Sequence, residues 1–221
     1  MIFTAMSTDY FPRLAAINTD NKKMNVAVNQ QADVAILLIT PIIVLFLTFA
    51  PLIVEILYSS KFNVIIGFVT FGVLGTFFKA VSFSLGYVII AKGHSKVFIT
   101  LSVIFNSVFL IIGVVSYNIG GLTGLGIGFL VYYFLHFIVL KGLTKYLYEI
   151  SLTKSFYKTF LLCAIICGSS FMATLIESPY LRYVLMFLLV VISVYYSLIQ
   201  FDKKMDLKRF IKSIFTKEIK N

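Results

Sequence analysis

The side chain best placed to do chemistry in this sequence is Lys79, the one charge in the apolar run 64–91, VIIGFVTFGVLGTFFKAVSFSLGYVIIA. At about 100° per residue, Gly72, Gly75, Lys79, Ser82 and Gly86 fall within an arc of roughly 80° on a helix. Phe77, Phe78, Val81, Leu85 and Val88 lie outside that arc. Small residues on one stripe admit a second helix or a ligand close to the backbone. An ionisable group at mid-membrane depth costs at least about 2.5 kcal/mol on insertion scales, so it faces a partner or a water-filled cavity. Lys79 is therefore read as lining a substrate pathway, with Gly75 and Ser82 beside it. The competing reading is a lysine that snorkels to an interface or pairs with a distant carboxylate.

Other reactive residue types lack the company that catalysis or metal binding needs. Cys163 and Cys167 are one turn apart in an apolar run with no His, Asp or Glu nearby, and are read as small residues of a lipid-embedded helix. Glu55 is read as an interfacial carboxylate and His94 as solvated in a basic turn. His136 is read as a packing or interfacial residue. There is no Ser/His/Asp set, no Cys/His pair with catalytic company, no GxxxxGK[ST] and no acidic cluster for a divalent metal. The chain is expected to be no enzyme and to need no cofactor or metal.

The elements that position these residues follow from composition. Of 221 residues, 60% are hydrophobic and 13% charged, with mean hydropathy +0.98. Soluble domains carry about 25% charged residues. The fold class is all-α, a polytopic membrane helix bundle of about six complete spans plus the end of a preceding helix. Residues 1–17 are too short and polar to span and lack the basic and apolar regions of a signal peptide. They read as the tail of a helix, so the chain is expected to begin inside a longer protein. Residues 18–33 read as a loop or an amphipathic lead-in. The spans are 34–57, kinked near Pro41 and Pro51, then 64–91, 97–116, 121–140, 159–176 and 180–201. The break between the third and fourth falls at Tyr117-Asn118-Ile119-Gly120-Gly121, a turn composition. Gly121, Gly124, Gly126 and Gly128 predict close packing of the fourth span. Residues 141–158 read as a polar loop, and Ser178-Pro179 as an N-cap and first helical residue.

Charge sets the orientation. The connections 13–33, 92–96, 141–158 and 202–221 hold 16 of the 19 Lys and Arg residues, and the opposite connections hold only Lys61 and Arg182. The positive-inside rule places both chain ends in the cytoplasm. The net charge of +10 therefore points to the membrane surface and not to nucleic acid. In the tail 202–221, Leu207, Phe210, Ile211, Ile214 and Phe215 recur at helical spacing, which predicts an amphipathic helix on the anionic leaflet.

Two runs carry a family resemblance: Ser7-Thr8-Asp9-Tyr10-Phe11-Pro12-Arg13-Leu14, and residues 78–93, FKAVSFSLGYVIIAKG. They resemble polysaccharide flippases of the O-antigen translocase (Wzx) type, within the multidrug/oligosaccharidyl-lipid/polysaccharide exporter superfamily. Such proteins have about fourteen membrane helices in two six-helix lobes plus a terminal pair. The resemblance implies that residues 1–33 are the end of helix eight and a cytoplasmic loop. Residues 34–140 would be four spans of the second lobe, 141–201 the terminal pair and 202–221 a basic cytoplasmic tail. It also implies flipping of an undecaprenyl-pyrophosphate-linked oligosaccharide across the bacterial inner membrane, with the missing N-terminal lobe and membrane lipid as partners. A pyrophosphate or acidic sugar would then meet Lys79. Asp9 and Arg13 join Lys79, Ser82 and Gly75 as candidate substrate-binding residues, although Asp9 and Arg13, four apart, can also pair with each other. Two other readings remain at this stage. One is an inert truncation or assembly fragment. The other is a cation-coupled multidrug exporter, which would favour an acidic cavity, whereas these spans hold no central Asp or Glu.

The topology has a direct test. Reporter fusions at Lys92, Lys154 and Asn221 are expected to read as cytoplasmic, and fusions at Asn118 and Ser178 as external. A cytoplasmic signal at Asn118 sinks the six-span arrangement.

Overall fold

In lipid, backbone N–H groups have no water to bond, so apolar runs satisfy them on their own i−4 carbonyls. The computed structural model describes residues 2–58 and 64–205. Among the described residues every regular element is helical: α1 (Ile2–Ala16), α2 (Asn21–Tyr58), α3 (Ile66–Ala91), α4 (Ser95–Tyr148), α5 (Lys154–Thr174) and α6 (Pro179–Met205). Five of them, α2 to α6, are long and apolar enough to cross a membrane. Glu55's side chain, Lys61 and the tail residues 206–221 lie outside the described residues.

Helix α4 counts as two spans. Straight, its 54 residues would reach about 80 Å, well over the hydrocarbon thickness. It is broken at Gly120 (φ −131°, ψ 16°) and Gly121 (φ 58°, ψ −140°). The left-handed φ at Gly121 suits a residue without Cβ, and it turns the chain back on itself. Phe105 then meets His136, Phe109 meets Tyr132, and Ser116 lies against Gly128. The two limbs, 95–119 and 122–148, form an antiparallel hairpin at the break expected from sequence.

The second limb runs parallel to α3, as three successive crossings require. Gly67 abuts Thr123, Gly75 abuts Phe129, and Gly86 faces Leu140. A Cβ on Gly126 would sit 2.7 Å from the Phe68 carbonyl oxygen, and one on Gly128 2.5 Å from Ser116 Oγ. Only glycine lets these helices come so close, so the glycine-rich fourth span packs tightly as expected.

Helix α2 is the axis of the bundle, touching α1, α3, α5 and α6. Its Met24, Val28, Ile36, Leu37 and Ile43 are fully buried. The polar stretches compare differently with the sequence reading: 18–33 takes one of its two expected forms, and 141–158 departs from the expected loop. The stretch 18–33 takes the amphipathic form and is helical from Asn21, with Met24 and Val28 buried and Lys22 and Lys23 exposed. Asp20 starts it, accepting the Lys23 backbone N–H at 3.0 Å. That bond holds the Asp20 carboxyl below its ordinary pKa. The stretch 141–158 is a loop only over 149–153, because α4 continues to Tyr148 and α5 resumes at Lys154.

Side-chain amides explain both outcomes. Asn29 donates to the Ser151 carbonyl at 2.9 Å and accepts the Thr153 N–H at 2.8 Å, while Asn25 accepts the Ser151 N–H at 2.9 Å. The first turns of α2 thus satisfy the backbone of a tight α4–α5 connection. Lys92 donates to the Asn18 carbonyl and to Asn21 Oδ1. His94 is exposed, as expected in the basic turn, and its Nδ1 also lies 3.0 Å from the Tyr148 hydroxyl. Lys204 donates to Asp33 Oδ1 at 2.6 Å and to Thr159 Oγ1 at 2.7 Å, joining α6, α2 and α5. All the described basic connections of the majority group therefore gather at one end of the bundle, which is the sidedness the charge alternation requires.

The Lys204–Asp33 pair is largely buried, its side chains 18% and 12% exposed. Losing one partner leaves the other charge unpaired, at a cost of about 3 kcal/mol. Lys204→Met is expected to lower the thermal unfolding midpoint of the purified protein clearly. The double variant Lys204→Met/Asp33→Asn is expected to recover most of the loss. A double variant no more stable than the single one would show that the pair is not coupled.

Candidate functional site

Lys79 lies midway along α3, about 20 Å from its first residue at 1.5 Å rise. It is half-buried, and its Nζ sits 5.1 Å from the centroid of the Tyr133 ring and 6.0 Å from that of Phe129. Both rings belong to the second limb of α4. A cation over an aromatic face gains about 0.5–2 kcal/mol, more as water is removed. Phe129 and Tyr133 are one turn apart with centroids at 4.6 Å, so the ammonium rests on a continuous aromatic surface.

The surface is longer than this pair. Tyr132 and His136 continue it, and His136 stacks edge-on to Phe105 at 4.3 Å and lies 6.0 Å from Tyr133. The packing role expected of His136 fits these rings. Its Nδ1 is buried with no hydrogen-bond partner among the described residues. A seam of Lys79, Phe129, Tyr133 and His136 thus joins α3 to the hairpin.

The stripe residues divide between contact and support. Gly75 is buried, and a Cβ there would lie 2.6 Å from Phe129 Cδ1 and 3.2 Å from Leu130 Cα. Its missing side chain lets the aromatic limb approach far enough to lie beneath Lys79. Ser82 is 1% exposed and its Oγ has no partner among the described residues. Gly72 meets nothing within 4 Å and leaves open space one turn from Gly75. Asp9 and Arg13 bond to each other at 3.1 Å on the exposed side of α1. Helix α1 docks on α3 next to them, through Tyr10, whose hydroxyl donates to the Ser84 carbonyl at 2.8 Å.

Sequence reasoning missed Tyr133 and Phe129, which lie more than 45 residues from Lys79. A usable signal was present: Phe129, Tyr132, Tyr133, His136 and Phe137 recur at i, i+3, i+4, i+7 and i+8 in an apolar span. Two other features hold no such chemistry. Cys163 and Cys167 are free and buried. A polar recess of about 280 Å³ lies beside Asn25, Asn29, Asp33, Thr153 and Lys204, whose hydrogen bonds are largely used by the structure itself.

Comparison with known proteins bears on the first part of the chain. A family model described as "Polysaccharide biosynthesis protein" matches residues 1–67, which cover α1, α2 and the first residues of α3. No curated protein and no solved structure matches the chain. The matched third of the sequence is thus similar to polysaccharide biosynthesis proteins, and the helices α2 to α6 are those of a membrane protein.

Proposed function

We propose that this chain is part of a transporter that flips a lipid-linked oligosaccharide, an O-antigen or related surface-polysaccharide unit, across the bacterial inner membrane. The observation that carries the reading is Lys79, a cation seated on Tyr133 and Phe129 at mid-depth of α3. The similarity of residues 1–67 to polysaccharide biosynthesis proteins supports the class of cargo. Aromatic rings suit the apolar faces of sugars, and an ammonium suits a pyrophosphate oxygen.

In this proposal residues 34–140 belong to the second lobe of the transporter and 141–201 form its terminal helix pair. A preceding lobe supplies the opposite wall of the cavity. Lys79 meets the undecaprenyl-pyrophosphate headgroup, Tyr133 and Phe129 hold its ammonium in place, and Gly75 and Ser82 set the spacing behind it. Asp9 and Arg13 act at the edge of the same cavity. The charge bias puts both chain ends in the cytoplasm, so the cargo is loaded from the side of the Asn25–Ser151 contact. The work is binding and conformational exchange, with no bond made or broken by the protein.

The test uses the full-length protein in cells that depend on it, with surface glycan measured by blotting and membrane protein level as control. Lys79→Ala is expected to abolish or strongly reduce export at near-normal protein level. Lys79→Arg keeps partial activity, because the charge survives while the headgroup geometry changes. Lys79→Glu fails completely, since it repels pyrophosphate. A merely structural lysine would instead lower the amount of folded protein on removal. Full export from Lys79→Ala at normal expression removes Lys79 from the mechanism.

A further inference from the structure

The end of the bundle opposite the amide contacts holds a cavity of about 430 Å³ between α2, α3, α5 and α6. Leu47, Pro51, Phe71, Phe171 and Met186 make most of its wall. Two of the three threonines lining it, Thr48 and Thr174, are bonded to their own helices. Thr48 donates to the Val44 carbonyl at 2.8 Å and Thr174 to the Phe171 carbonyl at 2.6 Å. Water entering this space would find few partners, and a void of this size forfeits dispersion contacts along its whole lining. The cavity therefore suits a hydrocarbon occupant. Its rim includes Leu175 and Tyr183, both exposed, so it opens toward the surrounding membrane.

Among the described residues one charge lies on that lining, Arg182, in the first turn of α6. Its guanidinium stands 5.1 Å from the Tyr183 ring. None of the ion pairs among the described residues includes it. Tyr180 and Tyr183 flank it and are exposed, as tyrosines are at the headgroup level of a bilayer. A planar guanidinium at that depth presents paired donors suited to a phosphate diester.

We propose that this cavity seats one acyl chain of a bilayer glycerophospholipid whose phosphate is held by Arg182. The acyl chain fills the space left among the described ends of α2, α3, α5 and α6. The inference is independent of the cargo and of Lys79, which lies elsewhere on α3.

The chain has no tryptophan, so a single introduced one reports cleanly. Phe171→Trp places it in the cavity wall and Ile104→Trp on an exposed, membrane-facing position of α4. The full chain, purified in detergent, is titrated with phosphatidylglycerol carrying brominated acyl chains, and fluorescence quenching is followed. Quenching of Phe171→Trp is expected to saturate near one lipid per chain, while that of Ile104→Trp rises without saturating. Adding Arg182→Gln is expected to raise the half-saturating lipid concentration about tenfold, the loss of a charge-assisted bond. Adding Thr174→Phe, which fills the cavity, is expected to remove the saturable part, with circular dichroism confirming unchanged helix. Inorganic phosphate alone is expected not to compete, because it lacks the chain that fills the wall. Non-saturating quenching at Phe171→Trp overturns the proposal. So does a curve unchanged by Arg182→Gln or by Thr174→Phe, or competition by inorganic phosphate.

Discussion

The close approach of α3 to the second limb of α4 is the contact on which the rest of the molecule depends. Lipid gives two apolar helices no solvent-driven reason to associate, so contact has to come from packing at short range. Gly126 against the Phe68 carbonyl and Gly75 against Phe129 provide it. Once these points are set, a parallel register follows along the pair. Phe78 reaches Phe134 and Phe137, Gly86 reaches Leu140, and at the far end Tyr148 arrives beside His94 and Lys92. The aromatic surface under Lys79 is one stretch of that register. A larger residue at Gly75 or Gly126 would move Tyr133 and Tyr148 together, because both ride on the same rigid helix.

The two ends of the bundle are closed by different physics. At the basic end, Asn25 and Asn29 reach into the α4–α5 connection, Lys92 ties the α1–α2 turn, and Lys204 bridges α2, α5 and α6. These bonds are directional and so define geometry, and the buried Lys204–Asp33 pair adds stability as well. At the opposite end the helices are held by rings and aliphatic side chains around a cavity, as with Phe71 on Phe171 at 5.3 Å. Among the described residues, the side-chain hydrogen bonds there run within single helices, apart from Thr48 Oγ1 to Met186 Sδ at 3.6 Å between α2 and α6. The basic end is thus specified by hydrogen bonds and the other by shape.

Much of this architecture was legible in the sequence, for identifiable reasons. Spans follow from apolar length, and the alternation of Lys and Arg follows from the cost of moving charge across lipid, so both are local properties of the chain. The break at Gly120–Gly121 was legible because the φ of Gly121 suits glycine. The helical form of residues 21–33 was harder to read, since its cause is remote: Asn25 and Asn29 bond to residues 151–153. The same holds for His94, whose partner Tyr148 is 54 positions away, and for Lys204, whose partner Asp33 is 171 away. At the candidate site the depth of Lys79 and the glycine beside it were readable from spacing. The rings that carry its charge were not, because hydropathy counts an aromatic stripe as ordinary apolar lining.

Those rings also decide where the charge of Lys79 rests. A carboxylate partner would cancel most of the field of an ammonium, leaving little to attract a third group. An aromatic face attracts the ammonium through its quadrupole and leaves the net charge in place. Tyr133 and Phe129 act on Lys79 in this second way, orienting its ammonium through their ring faces. The contact is worth at most about 2 kcal/mol, comparable to the lower insertion cost of a mid-membrane lysine. The ring contact is weak and non-directional, so it sets where the ammonium rests without fixing one geometry. In the proposed transporter such a placement serves a transient binding group, and it arises from two aromatic residues, one turn apart, packed against a glycine.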